Sequence, residues 1–176
     1  MNNGKVIWIT GLSGAGKTSL GRLVVDWLNK NDKVSILLDG DELRQIFGAN
    51  DHYDRTSREN LSIRYSKLCG LLASQNIIVV ICTISLFHKV HTFNREFIDQ
   101  YFEVFLDTPI DVLVKRDPKN IYSQFSKGHL TDVIGLDLPA EFPKSPDLVI
   151  QAHHHTKIES SFSQIKKSLS EFLEKK

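Results

Sequence analysis

The chain of 176 residues has the length of one domain of ordinary size, long enough to bury a hydrophobic core. Its 22 basic and 21 acidic side chains leave a net charge of +1, which excludes a global field that would favour nucleic acid or a membrane surface. The first apolar run begins at position 6 and reads as a strand, which leaves no room for a signal peptide, and no apolar run approaches the ~20 residues that span a bilayer. We therefore expect a cytoplasmic protein whose cysteines, Cys69 and Cys82, are buried thiols.

Apolar, strand-like runs alternate with helical patterns along the chain, which is typical of a mostly parallel sheet flanked by helices. Five strands are predicted, at 6–10, 34–38, 77–82, 102–106 and 148–150. Helices are predicted after residue 18, at 58–74, over part of 90–99, at 110–115 and at 157–176. The segment 120–146 is richer in Gly, Pro and Asp and has no clear period, as is typical of a lid. The pattern predicts an α/β fold formed by one domain over the whole chain.

A glycine-rich stretch follows the first predicted strand and opens the first predicted helix. Residues 11–18 read Gly-Leu-Ser-Gly-Ala-Gly-Lys-Thr and match the phosphate-loop pattern G-x-x-x-x-G-K-[ST], in preference to a glycine turn with a chance lysine. The glycines allow backbone N–H groups to face a phosphate, and the helix N-terminus favours negative charge. Lys17 would then contact the β- and γ-phosphates of ATP, and the Thr18 hydroxyl would bind Mg²⁺. The loop residues expected to hold ATP are Gly11, Ser13, Gly14, Ala15, Gly16, Lys17, Thr18 and Ser19.

Two further patterns imitate functional motifs. Residues 29–32 read Asn-Lys-Asn-Asp, the N-K-x-D that reads guanine in GTPases, but they follow the first helix on the side of the sheet away from the phosphate loop. Ligands bind at the carboxyl ends of parallel strands, so a polar loop is favoured here. Residues 153–155 are three histidines, which point in different directions and have no acidic or cysteine partner at ligand spacing. We expect a solvated loop there.

Several motifs resemble the adenylylsulfate (APS) kinase family, in order and over nearly the whole chain. Besides the phosphate loop they are Asp-Gly-Asp-x-x-Arg at 39–44, Glu-Val-Phe-Leu-Asp-Thr-Pro at 103–109, Arg-Asp-Pro-Lys-Asn-Ile-Tyr at 116–122, Gly-Leu-Asp at 135–137 and Pro-Asp-Leu-Val-Ile at 146–150. The resemblance implies a P-loop kinase fold and transfer of the γ-phosphoryl group of ATP to the 3′-hydroxyl of a nucleotide ribose. It also implies a homodimer.

The resemblance also implies roles for individual residues. Asp41, with Asp39 beside it, would orient the acceptor hydroxyl, take its proton and bind the metal, which is what phosphoryl transfer needs. A capped turn before a helix is the structural alternative for both. Guanidinium groups bind phosphate oxygens in pairs, which suits an anionic acceptor. The acceptor residues implied are Arg44, Tyr53, Arg58, Arg64, Ser85, Lys119 and Val133, and Arg116 would lie against the adenine of ATP.

The chain departs from the family mainly where the acceptor binds. The family's Asn-x-Arg-Arg is Leu-Ser-Ile-Arg at 61–64, its Ser-Pro is Ser-Leu at 85–86, and its basic lid sequence is Ser-Gln-Phe-Ser at 123–126. Val133 replaces a lid phenylalanine that covers the acceptor base, and such stacking is worth about 1–3 kcal/mol per base. Lost stacking and lost positive charge favour a smaller base and a differently charged 5′ substituent.

Residues 83–87 and the pair 94–95 resemble a branch of the family associated with surface-polysaccharide clusters. That branch includes kinases of cytidine 5′-diphosphoramidate in capsular phosphoramidate synthesis, and we favour this acceptor over APS. Two readings of another class stay open: a nucleotide-dependent switch or ATPase that hydrolyses ATP without an acceptor, and a binding protein without catalysis. The presence of Lys17, Thr18 and Asp41 argues against the second.

Overall fold

The computed structural model describes residues 4–48 and 54–174. Its centre is a five-stranded sheet in the order β2-β3-β1-β4-β5, in which every neighbouring pair is parallel. The strands are β1 (Val6–Gly11), β2 (Ser35–Asp39), β3 (Ile78–Cys82), β4 (Tyr101–Asp107) and β5 (Leu148–Gln151). The five predicted strands and the α/β fold class are therefore confirmed, because continuous β-branched and apolar runs are typical of strands buried on both faces.

The middle strand, β1, brings the glycine-rich loop to the centre of the sheet. Each of its residues is buried, and Val6 pairs with Val79 on one side and Tyr101 on the other. The chain leaves β1 towards β2 on one side of the sheet and later reaches β4 on the opposite side. This reversal of strand order opens a crevice at the carboxyl end of β1, which is where ligands bind in such sheets.

Seven helices are present in the described part of the chain. They are α1 (Lys17–Lys30), α2 (Gly40–Ile46), α3 (Arg55–Ala73), α4 (His88–Phe97), α5 (Ile110–Arg116), α6 (Ile121–Ser126) and α7 (Ile158–Glu174). The five predicted helices correspond to α1, α3, α4, α5 and α7. Helices α2 and α6 were not predicted; α6 has six residues, too few to show a helical period, and the Asp-Gly-Asp of α2 was interpreted as part of a functional motif.

Local capping explains both short helices. Asp39 is the N-cap of α2, and its Oδ1 accepts a 2.9 Å hydrogen bond from the N–H of Asp41. The carboxylate of Asp117 accepts hydrogen bonds from the N–H groups of Tyr122 and Ser123 at 3.1 and 2.9 Å and so supports the start of α6. The segment 120–146 thus contains a helical turn where an irregular lid was predicted.

Helix α1 packs unusually close to β3. A Cβ at Gly21 would lie 2.4 Å from Sγ of Cys82, so this approach requires glycine. The Cys82 thiol donates a 3.2 Å hydrogen bond to the carbonyl of Lys17, and burial raises the pKa of this thiol to about 12. Cys82 and Cys69 are both free and buried, which confirms the prediction of buried thiols.

The Asn-Lys-Asn-Asp stretch at 29–32, which forms the end of α1 and the turn after it, has a structural role. The Asn29 side-chain oxygen accepts hydrogen bonds from the Ser35 hydroxyl at 2.8 Å and from its N–H at 3.3 Å. Within residues 4–48 and 54–174, the structure contains no helix with the length and apolar character needed to cross a membrane.

Candidate active site

A cavity of about 710 Å³ lies at the carboxyl ends of the central strands. One side is formed by the phosphate loop and the start of α1, and the other by α3 and the turn after β3. The segment that joins α5 to α6 and the loop after β5 complete its walls. These elements are far apart in the sequence, and the fold brings them together at the edge of the sheet where the central strands end.

The phosphate loop adopts the backbone that its glycines allow. Gly14 and Gly16 have φ values of 77° and 96°, in the left-handed region where other residues are strained. Lys17 Nζ donates to the carbonyl oxygens of Gly11 and Leu12 at 3.0 and 2.8 Å. Burial lowers the pKa of Lys17 to about 8, although Asp41 and Asp39 raise it. A phosphate bound in the loop would form an ion pair with this ammonium and so favour the protonated form of Lys17.

The Thr18 hydroxyl and the carboxylate of Asp39 are in direct contact. Thr18 Oγ1 donates a 2.6 Å hydrogen bond to Asp39 Oδ2, while the other Asp39 oxygen caps α2. The structural alternative for Asp39, a capped turn, is therefore present together with a contact to the phosphate loop. The sequence paired Thr18 with Asp41 as metal ligands, whereas here Asp39 is the carboxylate that meets Thr18.

The donor atoms fit Mg²⁺, which prefers oxygen ligands and keeps several waters or phosphate oxygens. Thr18, Asp39 and Asp41 all line the cavity and offer hydroxyl or carboxylate oxygen. No group of three or more His, Cys, Asp or Glu side chains suited to a metal occurs in residues 4–48 and 54–174. A metal here would therefore take most of its ligands from nucleotide and water.

Asp41 lies at the mouth of the cavity and is exposed. Its Oδ2 contacts Nζ of Lys119, which belongs to the segment between α5 and α6. Two residues predicted for different roles, the proton acceptor and an acceptor-binding lysine, therefore form an ion pair across the cavity.

Helix α3 provides one wall of the acceptor half. Arg58, Leu61, Ser62 and Tyr65 line the cavity, as expected for positions i, i+3, i+4 and i+7 of one helix face. Arg64 lies outside that face and is exposed, so the structure does not bring it to the cavity with Arg58.

The other predicted acceptor residues have mixed positions. Arg44 and Ser85 line the cavity. Val133 is buried but is absent from the lining, where its neighbour Ile134 stands instead. Arg58 Nη2 donates a 2.7 Å hydrogen bond to the carbonyl of Asp132, which joins α3 to the predicted lid. Tyr53 lies outside the described residues.

The turn after β3 holds Ser85 in an uncommon conformation, with φ of 36°. Its carbonyl accepts from the N–H of Phe87 at 3.0 Å and contacts Nε2 of His91 at 3.1 Å. Burial lowers the pKa of His91 to about 4, so the ring is neutral at pH 7 and its Nε2 donates to this carbonyl. The hydroxyl of Thr10 donates to the preceding carbonyl, that of Ile84. These bonds fix the strained turn in one geometry.

Arg116 and the loop after β5 form the remaining wall. Arg116 Nη2 donates a 3.2 Å hydrogen bond to the carbonyl of His153, and both Arg116 and His154 line the cavity. His154 Nε2 lies 3.1 Å from Oδ2 of Asp111. The sequence predicted only a solvated loop at these histidines; the position of 153–155 directly after the last strand was the signal that could have placed them at the cavity.

Two lid contacts were also missed. The Tyr122 hydroxyl donates a 2.9 Å hydrogen bond to the carbonyl of Ser13 in the phosphate loop. Glu141 accepts from Arg55 at 2.6 Å and from the N–H of His88 at 2.7 Å. The segment 120–146 is therefore attached to the phosphate loop near its start and to α3 and α4 near its end.

The fold and the cavity together define a P-loop kinase. A phosphate loop with its lysine, a hydroxyl beside a carboxylate, and basic residues on the opposite half of one cavity are the parts that phosphoryl transfer requires. The protein is a phosphotransferase of the α/β class.

Comparison with known proteins gives the family. The family model described as adenylylsulphate kinase matches residues 3–151, and the chain belongs to this family. It is 34% identical to a cytidine diphosphoramidate kinase of Campylobacter jejuni over 96% of this chain and 98% of that protein. It is 35% identical to an adenylyl-sulfate kinase of Pseudomonas aeruginosa over 82% of this chain and 75% of that protein.

A solved structure shows the same similarity. The Mycobacterium tuberculosis APS kinase in complex with AMPPNP and APS superposes with a TM-score of 0.89 and 32% identity, and the match covers 97% of this chain and 99% of that one. The P-loop kinase fold and the resemblance to the APS kinase family, both predicted from motifs, are confirmed.

Proposed function

We propose that this protein transfers the γ-phosphoryl group of Mg·ATP to the 3′-hydroxyl of cytidine 5′-diphosphoramidate. The observation that carries the proposal is the division of one cavity into two halves. Lys17 and the Thr18–Asp39 pair lie on the side of the phosphate loop, whereas Arg44 and Arg58 lie on the side of α2 and α3. Asp41 stands between the halves, at the mouth.

The side chains have complementary tasks in this reaction. Lys17 would exchange the carbonyls of Gly11 and Leu12 for phosphate oxygens, and bound Mg²⁺ would neutralise charge on the phosphates, held by Thr18 with Asp39 or Asp41. Asp41 would accept the proton of the 3′-hydroxyl as that oxygen forms its bond to the γ-phosphorus and the bond to ADP breaks. Lys119 would turn from Asp41 to the anionic acceptor.

Several observations support a cytidine acceptor. The similarity to a cytidine diphosphoramidate kinase covers 98% of that protein. The lid position at which the family places a stacking phenylalanine is Val133, which is buried outside the cavity lining, and Arg64 is turned away. Both features weaken the support for a large purine with a sulfate.

Adenylylsulfate is the second candidate, since the family model is that of adenylylsulphate kinase and the similar structure named above contains APS. Release of ADP from Mg·ATP, measured with either acceptor and with none, separates the possibilities. We expect turnover with cytidine diphosphoramidate at a much higher kcat/KM than with APS. Turnover with APS alone would overturn the proposed acceptor, and equal release without any acceptor would favour the ATPase reading.

We also propose a homodimer, on the family resemblance. Light scattering coupled to size-exclusion chromatography tests it, and the mass of one chain across the accessible concentration range would contradict it.

A further inference from the structure

Three hydroxyl groups form a continuous array on the acceptor side of the cavity. Thr83 Oγ1 lies 2.9 Å from Ser85 Oγ, which lies 2.7 Å from Ser62 Oγ. Ser62 Oγ in turn donates a 2.9 Å hydrogen bond to the carbonyl oxygen of Arg58. Thr83, Ser85 and Ser62 all line the cavity and are at most 6% exposed. We call these three residues the hydroxyl array.

The direction of every hydrogen bond in the array follows from its last member. A carbonyl oxygen can only accept, so Ser62 uses its single proton on Arg58. Ser85 must then donate to Ser62, and Thr83 must donate to Ser85. No other hydrogen bond of these hydroxyls occurs within the described parts of the chain, so what the array can still offer is lone pairs.

The surroundings hold the array in place. A Cβ at Gly40 would lie 2.9 Å from Thr83 Oγ1, so glycine in the Asp39-Gly40-Asp41 turn keeps this hydroxyl uncovered. The strained turn at Ser85 is fixed by its bond to His91. The array therefore lies next to the turn that carries Asp41, and its last member is bonded to the residue that carries an acceptor-side guanidinium.

We propose, on the basis of the function proposed above, that the hydroxyl array selects an acceptor that presents an N–H donor to it. Lone pairs stabilise an N–H group and repel the oxygens of a sulfate or phosphate, which can only accept. A diphosphoramidate nucleotide offers such a donor in its terminal amide. Cytosine offers a second one in its 4-amino group, and the two sources are separable by substrate analogues.

Three acceptors test the proposal, through kcat/KM at saturating Mg·ATP. Cytidine diphosphoramidate has both donors, cytidine 5′-diphosphate lacks the amide, and uridine diphosphoramidate lacks the 4-amino group. We expect a loss of about tenfold or more for the compound that lacks the donor read by the array. A lower kcat/KM with cytidine 5′-diphosphate would show that the array binds the terminal amide. A lower kcat/KM with uridine diphosphoramidate alone would show that it binds the 4-amino group of cytosine.

A substitution tests whether the array binds the acceptor through its lone pairs. In Ser62→Ala the proton of Ser85 loses its acceptor and becomes available to the ligand, so the preference over the analogue that lacks the donor should fall several-fold. Thr83→Val removes lone pairs without freeing a proton, so it should lower kcat/KM for the preferred acceptor and leave the poorer one unimproved. Ser66→Ala, one turn further along α3 and outside the cavity lining, is the matched control and should leave the preference unchanged.

The inference and the proposed function fail in different ways. Equal kcat/KM for all three nucleotides, or an unchanged preference in Ser62→Ala, would overturn the role of the array while leaving a cytidine-nucleotide kinase in place. Phosphorylation of APS with no turnover of any of the three would overturn the proposed function, and the role of the array in selecting a diphosphoramidate nucleotide would fall with it.

Discussion

The Thr18 hydroxyl donates a 2.6 Å hydrogen bond to the carboxylate of Asp39. This contact joins the first turn of α1 to the end of β2, although β3 lies between β1 and β2 in the sheet. Asp39 also caps α2 through its second oxygen. One carboxylate thus contributes to stability and to the position of a proposed metal ligand, and the two contributions can be measured separately.

Asp39→Ser and Asp39→Ala separate them. Serine is a good N-cap but lacks the carboxylate that reaches Thr18, so Asp39→Ser should keep a melting temperature near that of the wild type while requiring at least tenfold more Mg²⁺ for half-maximal activity. Asp39→Ala should show the same Mg²⁺ defect and lose a further ~1 kcal/mol of stability with the cap. Magnesium titrations and thermal melts of both variants test this. A normal Mg²⁺ requirement in Asp39→Ser would contradict it.

Asp41→Asn should abolish the proton acceptor without disturbing the fold. Asp41 is exposed at the cavity mouth, so the melting temperature of the Asp41→Asn protein should equal that of the wild type. The variant should also bind ATP with nearly normal affinity. General-base contributions are typically 10²–10⁴-fold, and we expect a loss of about this size in kcat. Glu42→Gln, on the next residue but outside the cavity lining, is the charge-matched control. Normal turnover in Asp41→Asn would remove Asp41 from the mechanism.

ATP affinity should fall as the pH rises above about 8. Lys17 in the free protein has a pKa of about 8 because burial disfavours its charge, whereas phosphates would favour the protonated form. Binding above this pH must take up a proton, so the association constant should fall by up to about tenfold per pH unit. Calorimetry in buffers of different ionisation enthalpy measures the uptake.

Lys17→Arg is the control for that titration, because its guanidinium stays charged throughout. This variant should bind ATP more weakly but with no loss between about pH 8 and about pH 9.5. A wild-type affinity that is flat over the same range would show that Lys17 does not titrate there.

An ion pair away from the cavity, between the exposed Arg95 and the buried Glu103, should contribute more to stability as the pH rises. Arg95 Nη2 contacts Glu103 at 3.3 Å and Asp147 at 2.9 Å, and Glu103 also accepts a 3.0 Å bond from Tyr101. Burial raises the pKa of Glu103 above its usual 4.5, so its ionisation opposes folding above the unfolded value. Because Arg95 is partly exposed to solvent, Arg95→Ala should cost only about 2 kcal/mol near pH 7, and less at a lower pH, as Glu103 takes up a proton. Urea unfolding at both pH values measures the difference.

The double variant Arg95→Ala/Glu103→Gln provides the comparison. It removes the uncompensated charge, so it should be more stable than Arg95→Ala near pH 7. Equal stability of the two would mean that Glu103 is not charged in the folded protein at that pH.

The fold was largely predictable because its strands are continuous apolar runs. Among residues 6–11 only Thr10 has a hydroxyl side chain, so the sequence does not suggest a strand with one solvated face. All six residues are buried. Short local elements could not be predicted in this way. Helix α6 depends on hydrogen bonds to the carboxylate of Asp117, and its six residues are too few to show a helical period.

The site was predictable where a motif fixes a short loop after a strand, as for Lys17, Thr18, Asp39 and Asp41. The site was less predictable where the direction of a side chain determines whether it reaches the cavity. Arg64 lies six residues after Arg58, which places it off the cavity face of α3, and attention to the helical period would have separated the two. Tyr122 reaches the phosphate-loop backbone through tertiary packing, which no local pattern contains.

The measurement that tests the central claim most directly is the ³¹P NMR spectrum of the products formed from Mg·ATP and cytidine diphosphoramidate. Transfer to the 3′-hydroxyl predicts ADP and a new phosphomonoester resonance that couples to the ribose 3′ proton, both formed about 10²-fold or more slowly with Asp41→Asn. Inorganic phosphate and unchanged cytidine nucleotide as the only products beside ADP would contradict the account.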